Sequence, residues 1–288
     1  MTDNRGASKE AIQFHYDVGN AFYAEWLDPT MTYSAGIWPD SGDRTVSLQA
    51  VQERKLDWHI EGARLGAGRR LLDVGCGWGG LIRRAQETKG FAEAVGLTLS
   101  DAQAAWIRER HGDDSIRVEV CPWQAFRSDQ AFDAVISIGA FEHFAKPDMT
   151  RAQKVASYAD FFAFCARTLN AGGTISLQTI VWMDIEPGTE SQNLPAGFFP
   201  ESDLPYVGEV FEAAEPLFHA VKFHNRPRDY SMTLRVWLKH IRDRREELTQ
   251  TYGAEMVERY MKFFTGFVLG FDQGAIGLCR YKFVKRKG

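Results

Sequence analysis

The sequence predicts an α/β protein built on a largely parallel sheet with helices on both faces. Two observations carry that prediction. Strand-like and helix-like patterns alternate between residues 69 and 180, and a glycine-rich turn follows the first strand of the run. Parallel strands need long crossovers, and helices supply them.

Taken in order, residues 8–28 and 44–65 read as amphipathic helices around an irregular segment at 29–43. "RLLDV" (70–74), "AVGL" (94–97), "IRVEV" (116–120), "FDAVISI" (132–138) and "GTISLQTI" (173–180) are short, apolar and rich in branched residues, as buried strands are. Helical patterns at 79–88, 101–110 and 151–168 lie between them. A Pro/Gly-rich loop at 185–205 follows, then a strand at 217–224, helical stretches across 231–271 and a last strand at 277–284. No internal repeat or low-complexity tract interrupts the chain, which we read as one domain: residues 1–68, a helical arm; 69–180, the core; 181–288, a closing segment.

Composition excludes several classes. A formal net charge of -4 gives no basic surface for nucleic acid. No apolar run approaches the roughly 18 residues of a spanning helix. The opening "MTDNRGASKEAIQ" has no apolar signal core, so a cytoplasmic location is expected. Cys76, Cys121, Cys165 and Cys279 lack CxxC spacing, and the histidines lack HxxH or HxxxH spacing, so neither a disulfide framework nor a metal site is expected. The terminal "KFVKRKG" suits a solvated tail, with a peripheral contact to acidic lipid as the alternative. The 20 Phe, 8 Trp and 9 Tyr suit a packed core or a pocket for an apolar ligand.

Two motifs carry chemistry. In "LLDVGCGWGGL" (71–81) a strand ends in Asp73, and Gly75 and Gly77 let the backbone turn tightly and approach a ligand. The order D-x-G-x-G, rather than G-x-G-x-x-G, favours S-adenosylmethionine (SAM) over a dinucleotide. The second strand ends in "GLTLSDAQ", where Thr98 and Gln103 would serve a ribose, and where Ser100 with Gln103 also reads as a helix-capping box. In "ISIGAFEHF" (136–144), Glu142 and His143 stand side by side at the end of an apolar run. An extended backbone would face them oppositely, with Glu142 inward and His143 behind it or at the surface.

These blocks, with "FHYDVGNAFYAEWLDPTMTYSAGIW" (14–38) and "DYSMTLRVW" (229–237), resemble the cyclopropane fatty acid synthase and mycolic acid methyltransferase family. The resemblance implies a Rossmann-like class I methyltransferase fold: a seven-stranded sheet, an N-terminal helical arm and a helical cover over a channel for an apolar or acyl substrate. It places Tyr33, Ser34 and Gly75 at the amino-acid end of SAM, Thr98 and Gln103 at the ribose, and Trp123 and Gln124 by the adenine, where the family often has Glu for Gln124. Tyr16 reads as a core tyrosine, with a place beside the substrate as alternative.

Family cyclopropanases methylate an alkene and use a bicarbonate, held by Cys, Glu, His and Tyr, to remove a proton. Glu142 and Tyr230 match two of these. The family's "TYSCAYF" is "TYSAGIW" here and its "LLHTI" is "SLQTI", so Ala35 and Gln178 replace the cysteine and the histidine. Both changes remove an ionisable group and weigh against cyclopropanation, although Gln178 can still donate to a small anion. The resulting expectation is C-methylation of an unsaturated apolar substrate through a carbocation, with Glu142, Tyr230 and Gln178 as the catalytic set. Methylation of nitrogen or oxygen on a small metabolite, and a non-catalytic SAM-binding module, are the alternatives.

Overall fold

The computed structural model describes residues 19–112, 114–185 and 201–287. The arm residues 8–18, with Tyr16, and most of the loop at 185–205 therefore lie outside the described residues.

Seven strands form one sheet: β1 Arg70–Val74, β2 Glu93–Thr98, β3 Ile116–Val120, β4 Phe132–Ile138, β5 Leu169–Trp182, β6 Phe218–Asn225 and β7 Ile276–Lys285. Their order is β3-β2-β1-β4-β5-β7-β6. The first five pair in parallel, and β7 runs antiparallel between β5 and β6. The strands read from the sequence are all present, because β1, β2 and β4 carry the near-continuous apolar runs that burial on both faces demands. The chain leaves β1 toward β2 and β3, then returns to β4 on the other side. That reversal opens a crevice beyond the carboxyl ends of β1 and β4.

The helices are α1 Asn20–Ala24, α2 Leu48–Gly62, α3 Gly80–Thr88, α4 Asp101–Arg110, α5 Arg151–Thr168, α6 Val207–Ala214, α7 Pro227–Asp243, α8 Arg245–Tyr252 and α9 Ala254–Asp272. The helical run expected across 231–271 is three helices, broken at Arg244 and at Gly253, whose φ of 88° suits glycine. Helix α1 stops where Asp28 gathers the Thr30 and Thr32 amides and the Thr30 hydroxyl. The sequence reading missed α6, a two-turn helix whose first turn is fixed by Glu209 accepting the Tyr206 amide at 2.9 Å.

Two aromatic clusters flank the sheet. One joins α5 to Phe141 and Phe144; the other joins the arm to α7 and α9 through Trp26, Trp38, Trp237 and Phe264. Among the described residues no helix is long and apolar enough to cross a membrane. The chain is pinned on both sides of residues 186–200. The Trp182 amide donates to Pro205 O at 2.9 Å, its indole donates to Asp203 at 3.0 Å, and Asp203 forms a buried ion pair with Lys154.

Arg280, wholly buried in β7, joins three parts of the fold. Its Nε donates to Gln178 Oε1 at 2.7 Å, Nη1 to Asp229 Oδ2 of α7 at 2.8 Å, and Nη2 to Gly36 O at 3.0 Å. Truncating Asp229 would strand this cation, at a cost of about 3–5 kcal/mol. Asp229→Ala should therefore lower the urea midpoint sharply. Asp40→Ala, which removes an 88%-exposed partner of Arg226, should shift stability by less than about 1 kcal/mol.

Candidate active site

The crevice at the β1/β4 switch is a single cavity, and all nine positions expected to hold the cofactor line it: Tyr33, Ser34, Asp73, Gly75, Gly77, Thr98, Gln103, Trp123 and Gln124. The glycine turn makes room for it. Gly75 adopts φ +81°, and a Cβ there would lie 2.6 Å from the Ala140 Cβ. The turn is held against β2 by the Gly75 and Cys76 amides, which donate to Leu97 O at 2.9 and 3.0 Å.

At one end of the cavity Asp73 is buried, and burial pushes its carboxyl up to about 7 against the opposing pull of Lys55. Lys55, from α2, donates to Ser34 Oγ at 2.9 Å, and burial pulls its ammonium down to about 7. At the middle, Ser100 caps α4 by accepting the Gln103 amide at 3.3 Å. The reciprocal half of the expected capping box does not form. Gln103 Oε1 accepts instead from the Thr98 hydroxyl at 2.7 Å, which aligns both side chains on the cavity wall. At the far end, Trp123 is wedged among Phe144, Phe161 and Phe164.

The catalytic candidates lie outside this lining. Glu142 is buried; its Oε1 accepts the Ile180 amide at 2.7 Å, and its Oε2 has no partner. Burial pushes it from 4.5 up to about 7, although hydrogen bonds from its surroundings pull the other way. Tyr230 packs its ring against Phe271, with centroids 5.0 Å apart, and meets Trp237 edge-on. Gln178 is committed to Arg280. Ala35 lies in the aromatic cluster, one residue before the Gly36 carbonyl that accepts from the same guanidinium. Of the two positions that depart from the family pattern, Gln178 thus bonds this cation and Ala35 precedes a residue that does. The sequence reading missed it, although an arginine inside the apolar "IGLCRYKFV" was a visible signal.

The pair in "FEH" differs from the expected geometry. Phe141–His143 is a turn of 3₁₀ helix rather than an extended segment, so the alternation argument does not apply. His143 is the member that lines the cavity, and its Nδ1 bonds with Ser202 Oγ at 2.7 Å. Burial holds its imidazole down to about 4. His59 is a further residue that the motifs did not reveal. It is buried with Nδ1 on Ser176 Oγ at 2.8 Å, and burial with nearby Lys55, Arg280 and Lys282 holds it neutral. Among the described residues no cluster of three or more His, Cys, Asp or Glu could hold a metal ion.

Residues 3–281 match the family model described as mycolic acid cyclopropane synthetase. Cyclopropane mycolic acid synthase 3 of Mycobacterium tuberculosis is 34% identical over 280 residues, covering 91% of this chain and 92% of that protein. The solved structure of mycolic acid cyclopropane synthase CmaA1 complexed with SAH and CTAB aligns with a TM-score of 0.86 at 30% identity, covering 98% of this chain and 100% of that one. Cyclopropane synthase MmaA2 from Mycobacterium tuberculosis aligns with a TM-score of 0.84 at 28% identity, covering 98% and 100%.

A buried acid with a raised folded pKa holds its proton in the folded state after the unfolded chain has released it. The stability it contributes below its unfolded pKa is therefore lost as pH rises through the folded value. For Glu142 that window runs from 4.5 to about 7. Urea midpoints measured across it should fall less steeply with pH in Glu142→Gln than in the parent chain, and equal slopes would contradict the assignment.

Proposed function

The chain belongs to the mycolic acid cyclopropane synthetase family of SAM-dependent methyltransferases, and we propose that it C-methylates an unsaturated apolar substrate, such as a fatty acyl chain or an isoprenoid. The observation that carries this reading is Glu142: a buried carboxyl with one oxygen fixed by the Ile180 amide and the other unpartnered.

The cavity suits SAM along its whole length. Asp73 and Ser34 would receive the amino-acid end, Gly75 and Gly77 leave the backbone open to close approach, Thr98 and Gln103 would receive the ribose, and Trp123 with Gln124 the adenine. When bound, SAM supplies an electrophilic methyl group. The remaining work falls to the chain. Methyl addition to an alkene leaves a cation on the substrate, which aromatic faces and a desolvated carboxylate stabilise. Glu142 would then take one proton from the adjacent carbon as the new double bond forms. A pKa of about 7 suits a group that must both accept and release that proton. Tyr230 would border the reacting carbon.

The surroundings of Ala35 and Gln178 support methylation over ring closure. Arg280 meets Gln178, Asp229 and Gly36 with its three nitrogens, so it serves the fold rather than a free anion. Neither an imidazole nor a thiol stands at these two positions to help hold bicarbonate. Methylation of nitrogen or oxygen on a small metabolite is the second reading. The observation in its favour is His143, a neutral imidazole on the cavity wall beside Glu142.

Incubation with labelled SAM and a lipid extract should place label in an organic-soluble product bearing a new C–CH3 or =CH2 group. Label on nitrogen or oxygen would favour the second reading. Glu142→Gln should lower kcat by at least about tenfold, or about 1.4 kcal/mol, and a smaller loss would remove Glu142 from the proton chemistry. Ala35→Cys with Gln178→His, supplied with bicarbonate, should yield some cyclopropane product if those two positions decide the outcome.

A further inference from the structure

Lys55 is a buried cation that neither the glycine turn nor the "FEH" motif accounts for. It sits in the middle of α2, 1% exposed, yet forms part of the cavity wall beside Ser34 and Asp73. An ammonium carries three donors. The structure gives this one a single hydrogen bond, to the neutral Ser34 hydroxyl at 2.9 Å. Such a group is costly to bury unless an anion faces it.

The charges around it are Asp28 after α1, Asp73 at the end of β1, Arg280 on β7 and, on its own helix, the neutral His59. Asp28 attracts Lys55 more strongly than Asp73 does, but its oxygens accept from Thr30 and Thr32 and it makes no hydrogen bond to the ammonium. Asp73 is the carboxylate that shares the cavity wall with Lys55. The cavity wall thus presents one cation with spare donors and one carboxylate, close enough for each to feel the other's charge. That pairing complements an α-amino-acid zwitterion: ammonium toward Asp73, carboxylate toward Lys55.

We propose that Lys55, together with Ser34, binds the carboxylate of the amino-acid end of the cofactor, and so selects ligands that carry it. The inference rests on the reading that this cavity holds SAM.

The test compares two ligands by calorimetry in the full chain. S-adenosylhomocysteine carries the amino-acid end; 5′-methylthioadenosine has the same adenosine and sulfur without it. Lys55→Met should raise the Kd for S-adenosylhomocysteine at least tenfold and leave that for methylthioadenosine within twofold. Lys55→Gln, which keeps a buried donor without the charge, should show the same split and guards against a Met variant that fails to fold. Equal losses for both ligands would mean that Lys55 only supports the scaffold, and an unchanged Kd for S-adenosylhomocysteine would also overturn the proposal. If the parent chain binds neither ligand, the SAM reading of the cavity falls and this proposal with it. If the parent binds both and the variants show no split, only the role of Lys55 falls.

Discussion

One guanidinium without access to water holds the sheet, the helical cover and the arm in register. Arg280 leaves β7 and is met by β5 at Gln178, by α7 at Asp229 and by the arm at Gly36. Asp229 extends the join, accepting the Trp38 amide at 3.1 Å and the Arg226 guanidinium at 3.0 Å. A buried ion pair seldom adds net stability over a well-packed apolar one, but it is exacting about geometry. Here that geometry fixes the segment carrying Tyr33 and Ser34 over the carboxyl ends of the strands. The cofactor cavity depends on this junction although Arg280 does not line it.

The same junction gives a physical context to the chain's departures from its family. Ala35 and Gln178 were readable as isolated substitutions in two motifs. What the motifs could not express is that Gln178 and Gly36, the residue after Ala35, both bond Arg280, which lies 102 residues after the first and 244 after the second. A hydrogen bond between distant residues leaves no period in the sequence. Lys55 and His59 escaped for a related reason: on α2 they read as ordinary polar positions of an amphipathic helix, whereas β5 and the arm bury both.

What was legible follows the same logic. Strands β1, β3 and β4 were read at their observed bounds, and so were α4 and α5, because a buried strand is a continuous apolar run and a capped helix has marked ends. The nine positions expected to hold the cofactor line one cavity because the glycine turn and the β2 terminus are local features of a parallel sheet. The "FEH" pair was harder. Three residues do not reveal whether a backbone is extended or 3₁₀, and the choice decides which side chain faces the cavity. In the structure Glu142 and His143 have different surroundings, the first bonded to the Ile180 amide of β5 and the second on the cavity wall.

The anchoring of Trp182 and Asp203 bears on how the end of β5 is held. Trp182 and Asp203 are tied to each other, to Pro205 and to Lys154, so the end of β5 and the approach to α6 are held together. One aspartate thus acts as a clamp: displacing Asp203 would release the end of β5, the approach to α6 and the start of α5 together.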